Sequence, residues 1–289
     1  MTSPSPKIIL ITGCSSGFGL LTAARLASKG HHVIATMRDT QKQSALLSEV
    51  NKRGGQVTIL QLDVTKKNSV LQTISEIASK HGYIDVLINN AGYGVGGAFE
   101  DLTDEEIRQQ METNFFGVQN VTREVIPLMR PRRKGKIINI SSAAGLSASP
   151  CFSAYNASKW ALEGFSESLR YELKLWGIDV HLVEPGTYKT KIFYENARYC
   201  KNFDNQNSPY YELSQHLKNK VMRYVDDCYK NPEDVAVLIE KLIHAKNPPF
   251  RNIPDIESQF LFWARKILPF RVYSGVIQKK LFQGLKEKR

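Results

Sequence analysis

Short apolar runs alternate along this chain with longer stretches whose apolar residues recur every three or four positions. Lys7 to Thr12 is the first run, followed by His32 to Thr36, Val57 to Leu62, Asp85 to Asn89, Gly135 to Ile140 and Asp179 to Glu184. Runs of this length predict strands, and the spacing of Leu20 to Lys29, Ser69 to His81, Thr103 to Met129 and about Ser153 to Trp176 predicts helices. Thr103 is placed as an N-cap, with Glu105 and Glu106 in the first turn. Apolar strands separated by helices imply a parallel sheet covered on both faces, a Rossmann-type doubly wound α/β fold. No repeat, low-complexity tract or linker interrupts the alternation. A chain of 289 residues is short for two domains, so one domain over 1–289 is expected.

The pattern changes after Pro185-Gly186. Thr187 to Lys230 is polar, aromatic and weakly periodic, and reads as a lid region over about 187–230. Asn231-Pro232-Glu233-Asp234 then opens an amphipathic helix through His244. In the lid region Phe193, Tyr194, Tyr199, Phe203, Tyr210 and Tyr211 either wall an elongated apolar ligand or anchor the segment to the body. A basic, aromatic-rich extension covers about 256–289. It mixes Phe260, Leu261, Phe262, Trp263, Ile267, Leu268 and Phe270 with Arg265, Lys266, Arg271, Lys279 and Lys280. Two readings stand: adsorption at an anionic membrane surface, and, preferred here, packing over the substrate mouth or against a second subunit.

Composition narrows the class. Hydrophobic residues make up 42% and charged residues 23%, ordinary for a globular protein. Met1 to Pro6 lacks an apolar core of the secretory kind, and no apolar run approaches bilayer length. A cytoplasmic protein is expected, membrane-associated if the tail adsorbs. Cys14, Cys151, Cys200 and Cys228 share no metal-ligand spacing, so no metal site is expected and the thiols read as reduced. The formal charge of +11 gathers at Arg130 to Lys136, Lys218 to Arg223 and Arg265 to Arg289. With no nucleic-acid-reading motif beside it, this charge reads as basic surface and excludes nucleic acid as the expected partner.

Chemistry is concentrated at two places. The first is Thr12-Gly13-Cys14-Ser15-Ser16-Gly17-Phe18-Gly19, between the first strand and first helix. Glycines there permit positive φ and a close approach of backbone to a pyrophosphate, which the helix N-terminus attracts. Gly13, Ser15, Ser16, Gly17, Phe18 and Gly19 are the expected dinucleotide contacts. At the end of the second strand, Met37 occupies the usual acidic position and Arg38 follows. A guanidinium beside the adenosine ribose suits a 2′-phosphate, favouring NADP(H) over NAD(H); Asp39 would oppose this if the register shifted. Asp63 is placed on the adenine amino group, or in a turn or helix cap. Asn89-Asn90-Ala91-Gly92 passes close to the cofactor, with an Asx-type turn as the alternative role.

The second place is Tyr155 and Lys159, four apart and therefore on one helix face. A tyrosine pKa near ~10 must fall by about three units, roughly 4 kcal/mol, for acid–base work at neutral pH. A lysine ammonium one turn away stabilises the phenolate, and an oxidised nicotinamide adds positive charge. Tyr155 would then exchange a proton with a carbonyl or alcohol oxygen held by Ser142.

Together these pieces resemble the short-chain dehydrogenase/reductase family: TGCSSGFG at Thr12 to Gly19, NNAG at Asn89 to Gly92, Asn114, the Ser-Ser pair ending at Ser142, YNASK at Tyr155 to Lys159, and Pro185-Gly186. The resemblance runs over about residues 7 to 190 and selects Ser142, thirteen positions before Tyr155, over Ser141. It implies a strand order of 3-2-1-4-5-6-7 and a tetrad of Asn114, Ser142, Tyr155 and Lys159. In the tetrad, Asn114 supports a water relay to the lysine. The resemblance also implies nicotinamide contacts from Pro185, Gly186 and Thr190, and a homodimer or homotetramer. Within the family, CSSGFG and ATMRD are most similar to the branch of 17β-hydroxysteroid and retinol dehydrogenases, implying an apolar alcohol or carbonyl. The competing class is a non-catalytic NADP-binding redox sensor, which has no need of an intact tetrad.

Overall fold

The computed structural model describes residues 5–285; the ends of the basic extension, 286–289, and of the N-terminal lead, 1–4, lie outside the described residues. The described strands are β1 Ile8–Ile11, β2 His32–Met37, β3 Val57–Gln61, β4 Val86–Asn89, β5 Val95–Gly96, β6 Gly135–Ile140, β7 Ile178–Val183, β8 Arg198–Tyr199 and β9 Arg251–Asn252. The helices are α1 Gly17–Ser28, α2 Ser44–Lys52, α3 Lys67–His81, α4 Asp104–Met111, α5 Gly117–Met129, α6 Ser153–Lys174, α7 Tyr211–Asp226, α8 Glu233–His244, α9 Ile256–Ile267 and α10 Phe270–Phe282.

Seven strands form one parallel sheet in the order β3-β2-β1-β4-β6-β7-β9. Counted within that sheet alone, the order is the expected 3-2-1-4-5-6-7. Alternate residues of each strand point to opposite faces. In β1, Ile9 and Ile11 join one buried cluster with Ala23 and Leu26 of α1, Val50 of α2 and Ile239 of α8. Ile8 and Leu10 join the other, with Ile74 of α3, Val121 and Val125 of α5 and Leu169 of α6. Two buried faces explain why these strands are apolar throughout.

The long region from Thr103 is not one uniform helix. Thr103 caps α4 as expected, in a reciprocal capping box with Glu106, but Glu112–Phe116 is a π-helical turn before α5. β5 and β8 make a two-stranded parallel ladder outside the main sheet. The lid region is also more regular than its pattern suggests, because α7 occupies sixteen of its residues.

The extension folds back onto the body. Asp255 caps α9, accepts a hydrogen bond from Gly186 N at 2.9 Å, and pairs with Lys230 at 3.3 Å. Tyr273 of α10 is buried and hydrogen-bonds Ser147. Lys220 of α7 donates to the carbonyl oxygens of Leu281 and Gln283 at 3.2 and 3.1 Å, closing the C-terminal end of α10.

Candidate active site

The direction of the strand order reverses between β1 and β4, which leaves a crevice at the carboxyl ends of the strands, where open α/β sheets bind ligands. Here it is a cleft of about 900 Å³ lined by the β1–α1 turn, the ends of β2, β3, β4 and β6, and the segment after β7.

Its first wall is the glycine turn. Gly13 and Gly17 have φ of +73° and +59°, and a Cβ on Gly13 would lie 2.7 Å from Ala91 Cα. A Cβ on Gly19 would lie 2.4 Å from both Asn90 Nδ2 and Gly13 O. Backbone thus meets backbone across this corner, and side chains cannot be added. Asn90 fixes the approach by donating to Thr12 O and Gly13 O, both at 2.9 Å. Thr12 Oγ1 in turn accepts from Asn90 N and Ala91 N at 3.0 Å each. Asn90 therefore serves as a brace for the turn. Ser16, at the N-cap of α1, makes no side-chain capping bond, so the first amides of a twelve-residue helix face the cleft without a side-chain acceptor. Amides, dipole and glycine cradle together suit a pyrophosphate. Ser15, Ser16, Gly17 and Phe18 line the cleft, with Phe18 also packed edge-on to Tyr188.

At the adenosine end, Met37, Arg38, Asp39 and Lys42 line the rim. Arg38 is exposed, and Asp39 Oδ1 accepts from Gln41 N at 3.0 Å as a local cap. Arg38 and Lys42 are the cations at this rim, with Asp39 between them. Asp63 lines the cleft too, with Oδ1 accepting from Thr65 N and Thr65 Oγ1 at 3.0 and 2.7 Å, an Asx-type turn.

At the other end, α6 brings Tyr155 and Lys159 to the floor of the cleft. Tyr155 is half-buried and packs close to Gly94, where a Cβ would lie 3.3 Å from its ring and push it by a few tenths of an ångström. Ser142 lies on the turn after β6, its Oγ accepting from Ala144 N at 3.1 Å. The nearby Ser142 hydroxyl pulls the Tyr155 pKa down, but burial outweighs it and holds the Tyr155 hydroxyl above its usual value. The expected acidification by lysine is therefore not present in the protein alone. The reason is geometric. Lys159 Nζ donates to Ile140 O at 2.9 Å and stands 5.8 Å from the Tyr155 ring centre. Burial also brings Lys159 down to about 8, against the pull of Glu163.

Asn114 sits in the π-helical turn and is buried. Its Oδ1 accepts from Tyr93 N at 3.1 Å, and its Nδ2 donates to Tyr93 O at 2.8 Å and Ser158 Oγ at 3.1 Å. It thus clamps the loop after β4 to α6 beside Lys159. Gly92 packs against it, and a Cβ there would lie 3.2 Å from Asn114 Oδ1. Thr190 lines the cleft, and Asn196 reaches across it to Ser16 Oγ at 3.2 Å. Pro185 and Gly186 hold loops instead. Pro185 O accepts from Ala143 N at 2.9 Å, and a Cβ on Gly186 would strike Ser258 Oγ at 2.3 Å.

None of the six lid aromatics lines this cleft. Tyr199 and Phe203 pack with Val95, Leu102 and Cys200, and Tyr210 packs near Ala98 and Leu217. For these three, anchoring is the role observed. The sequence also carried no sign of a buried polar cluster below the site. Arg251 pairs with Glu163 of α6 and with Glu184, which precedes Pro185. Glu184 is pushed up to about 8 by burial and by the charge of Glu163, with Arg251 opposing. Ser141 Oγ, Glu163 Oε1 and Glu184 Oε2 are buried without a hydrogen-bond partner. Thr12 and Arg251 become meaningful only once the turns are folded.

Fold and cleft define a dinucleotide-binding α/β protein. A model of the short chain dehydrogenase family matches residues 7–199. The chain belongs to the short-chain dehydrogenase/reductase family, and is an oxidoreductase by that membership. It is 44% identical over 258 residues to a 3-ketodihydrosphingosine reductase of Bacteroides thetaiotaomicron, covering 89% of this chain and 91% of the relative. It is 37% identical over 262 residues to retinol dehydrogenase 8 of Homo sapiens, covering 87% and 82%. A solved short-chain dehydrogenase from Streptomyces avermitilis superposes with a TM-score of 0.79 at 30% identity, covering 98% of this chain and 100% of that one. A metagenomic short-chain oxidoreductase in complex with NADP gives 0.69 at 27% identity, covering 87% and 98%.

Proposed function

We propose that this protein is an NADP(H)-dependent oxidoreductase interconverting an alcohol and a carbonyl on an apolar, lipid-like substrate. The observation that carries the reading is the convergence of Tyr155 and Lys159 at one end of a cleft, with Ser142 close to the Tyr155 hydroxyl on the turn behind Ser141, while the other end is a glycine cradle. When bound, the nicotinamide supplies or takes the hydride. Gly13, Ser15, Ser16, Gly17, Phe18 and Gly19 hold the pyrophosphate, with Asn90, Ala91 and Gly92 bracing the approach and Thr190 meeting the nicotinamide end. Arg38, with Lys42, faces the adenosine ribose and accommodates a 2′-phosphate, while Asp39 Oδ1 is held by its own cap. Asp63 has its Oδ2 left for the adenine amino group.

Ser142 orients the substrate oxygen and Tyr155 passes it a proton in reduction, or accepts one in oxidation. Lys159, positively charged below about pH 8, sits one helical turn from the tyrosine and steadies the charge that develops there. Asn114 keeps Ser158 and the Tyr93 loop in register with Lys159. The apolar substrate is supported by the names of two relatives, which specify 3-ketodihydrosphingosine and retinol.

The test is a panel of long-chain keto, retinoid and steroid substrates followed by reduced-cofactor absorbance. Turnover with NADPH well above NADH is expected, and Arg38→Ala should weaken NADPH affinity about 10- to 100-fold with little change for NADH. A wild-type preference for NADH would overturn the cofactor assignment, and activity confined to small hydrophilic substrates would overturn the substrate class.

A further inference from the structure

The inner sides of α9 and α10 are accounted for by the body of the protein; the outer sides are not. On α9, Ile256, Phe260, Trp263 and Ile267 follow one another at i, i+4, i+7 and i+11, one stripe of a helix. They are 82%, 74%, 52% and 72% exposed. On α10, Val272 and Val276 are exposed a turn apart and Lys279 continues their line. Phe270, at the junction of the two helices, is exposed as well. Buried contacts through Ser258 and Tyr273 hold both helices in place, so this is the outward surface of a fixed unit.

The charge on this unit is almost all of one sign. Its one carboxylate, Glu257 in the first turn of α9, is paired with Lys230 at 2.8 Å, and from Ser258 to Lys286 there is no Asp or Glu, while Arg265, Lys266, Arg271, Lys279 and Lys280 all fall within that stretch. Lys266 Nζ lies 5.4 Å over the Trp263 ring, so cation and aromatic share a surface. Exposed aromatic and aliphatic groups beside unopposed cations match the boundary of a bilayer, with apolar groups entering the acyl region and ammonium groups meeting anionic headgroups. A second copy of the chain fits less well. A two-fold interface pairs a surface with itself, and this one would set cation against cation with only Glu257, already paired with Lys230, as a carboxylate. No helix among the described residues is long and apolar enough to cross a membrane, so the contact is with its surface.

We propose that the outer face of α9 and α10 docks this enzyme on anionic phospholipid membranes. The site is independent of the catalytic reading. It also has a consequence for that reading. α9 packs on the turn Ala143–Gly145 that follows Ser142, and Lys220 of α7 grips the end of α10, so the docking unit is continuous with the substrate side of the cleft.

The test is co-sedimentation of the full chain with phosphatidylcholine vesicles, with and without about 30 mol% phosphatidylglycerol, at low and high salt. Binding is expected only to the anionic vesicles and should weaken as salt is raised. Lys266→Gln/Arg271→Gln/Lys279→Gln should weaken it about a hundredfold, at about fivefold per cation. Phe260→Ser/Trp263→Ser should abolish it at unchanged melting temperature, because these side chains are exposed. Absence of binding at low salt overturns the proposal. So does a result in which Phe260→Ser/Trp263→Ser leaves vesicle binding intact and instead converts a dimer to a monomer in sedimentation velocity.

Discussion

At the scale of single residues, the site is governed by which buried charges are matched. Lys159 is buried with only a carbonyl oxygen as its direct acceptor, and Glu184 is buried beside a second carboxylate with one arginine between them. Desolvation moves the two in opposite senses, the lysine down and the glutamate up, both to about 8. The linkage signs follow. Glu184, raised by burial and by Glu163, holds its proton more tightly in the folded state than in the unfolded chain. Its stabilisation is complete below the ordinary carboxylate range and is lost as pH rises through the raised folded value. Denaturant unfolding from pH 5 to 8 should show this decline in the native protein and a flatter profile in Glu184→Gln. Parallel profiles would mean that Glu184 is ionised throughout. The tyrosine is the instructive case at this scale: its spacing to Lys159 is plain in YNASK, but which carbonyl the lysine serves is a property of the folded turn after β6.

At the scale of elements, the decisive object is the β1–α1 corner. Its tolerance is set by distance: a methyl group on Gly19 would meet Gly13 O and Asn90 Nδ2 at 2.4 Å, whereas one on Gly164, mid-way along α6, would meet nothing within 4 Å. Gly19→Ala should therefore cost about 1–3 kcal/mol and abolish nucleotide affinity. Gly164→Ala should instead stabilise α6 by about 0.5–1 kcal/mol with affinity intact. Thermal melts with and without NADPH separate the two, and an unchanged affinity in Gly19→Ala would contradict the cradle. The strands of this corner were legible because both their faces are buried, which makes them apolar end to end. β9 was not, since two residues carry no period, and β5 and β8 fail for the same reason. The π-helical turn holding Asn114 hides inside a continuous helical pattern. α7 hides because its exposed face is polar and its few buried residues, Ser214, Leu217 and Val225, are widely spaced. Pro185-Gly186 stands out in the sequence, but the carboxylate that holds Gly186 comes from Asp255, 69 positions away.

At the scale of the whole molecule, charge and cleft divide the labour. The surplus of +11 is spread over separate surface groups, and the part carried by α9 and α10 lies with exposed aromatics. The proposed catalytic groups, by contrast, come from three stretches of chain to one end of the sheet, where the turn after β6 and α6 deliver Ser142, Tyr155 and Lys159 and the π-helical turn delivers Asn114. The central claim is that the Tyr155 hydroxyl is the group exchanging a proton with substrate. It is tested by measuring turnover and NADPH affinity together in Tyr155→Phe. Turnover should fall at least about a hundredfold while NADPH affinity stays within a few-fold of the native value. Native turnover in that variant would contradict the account.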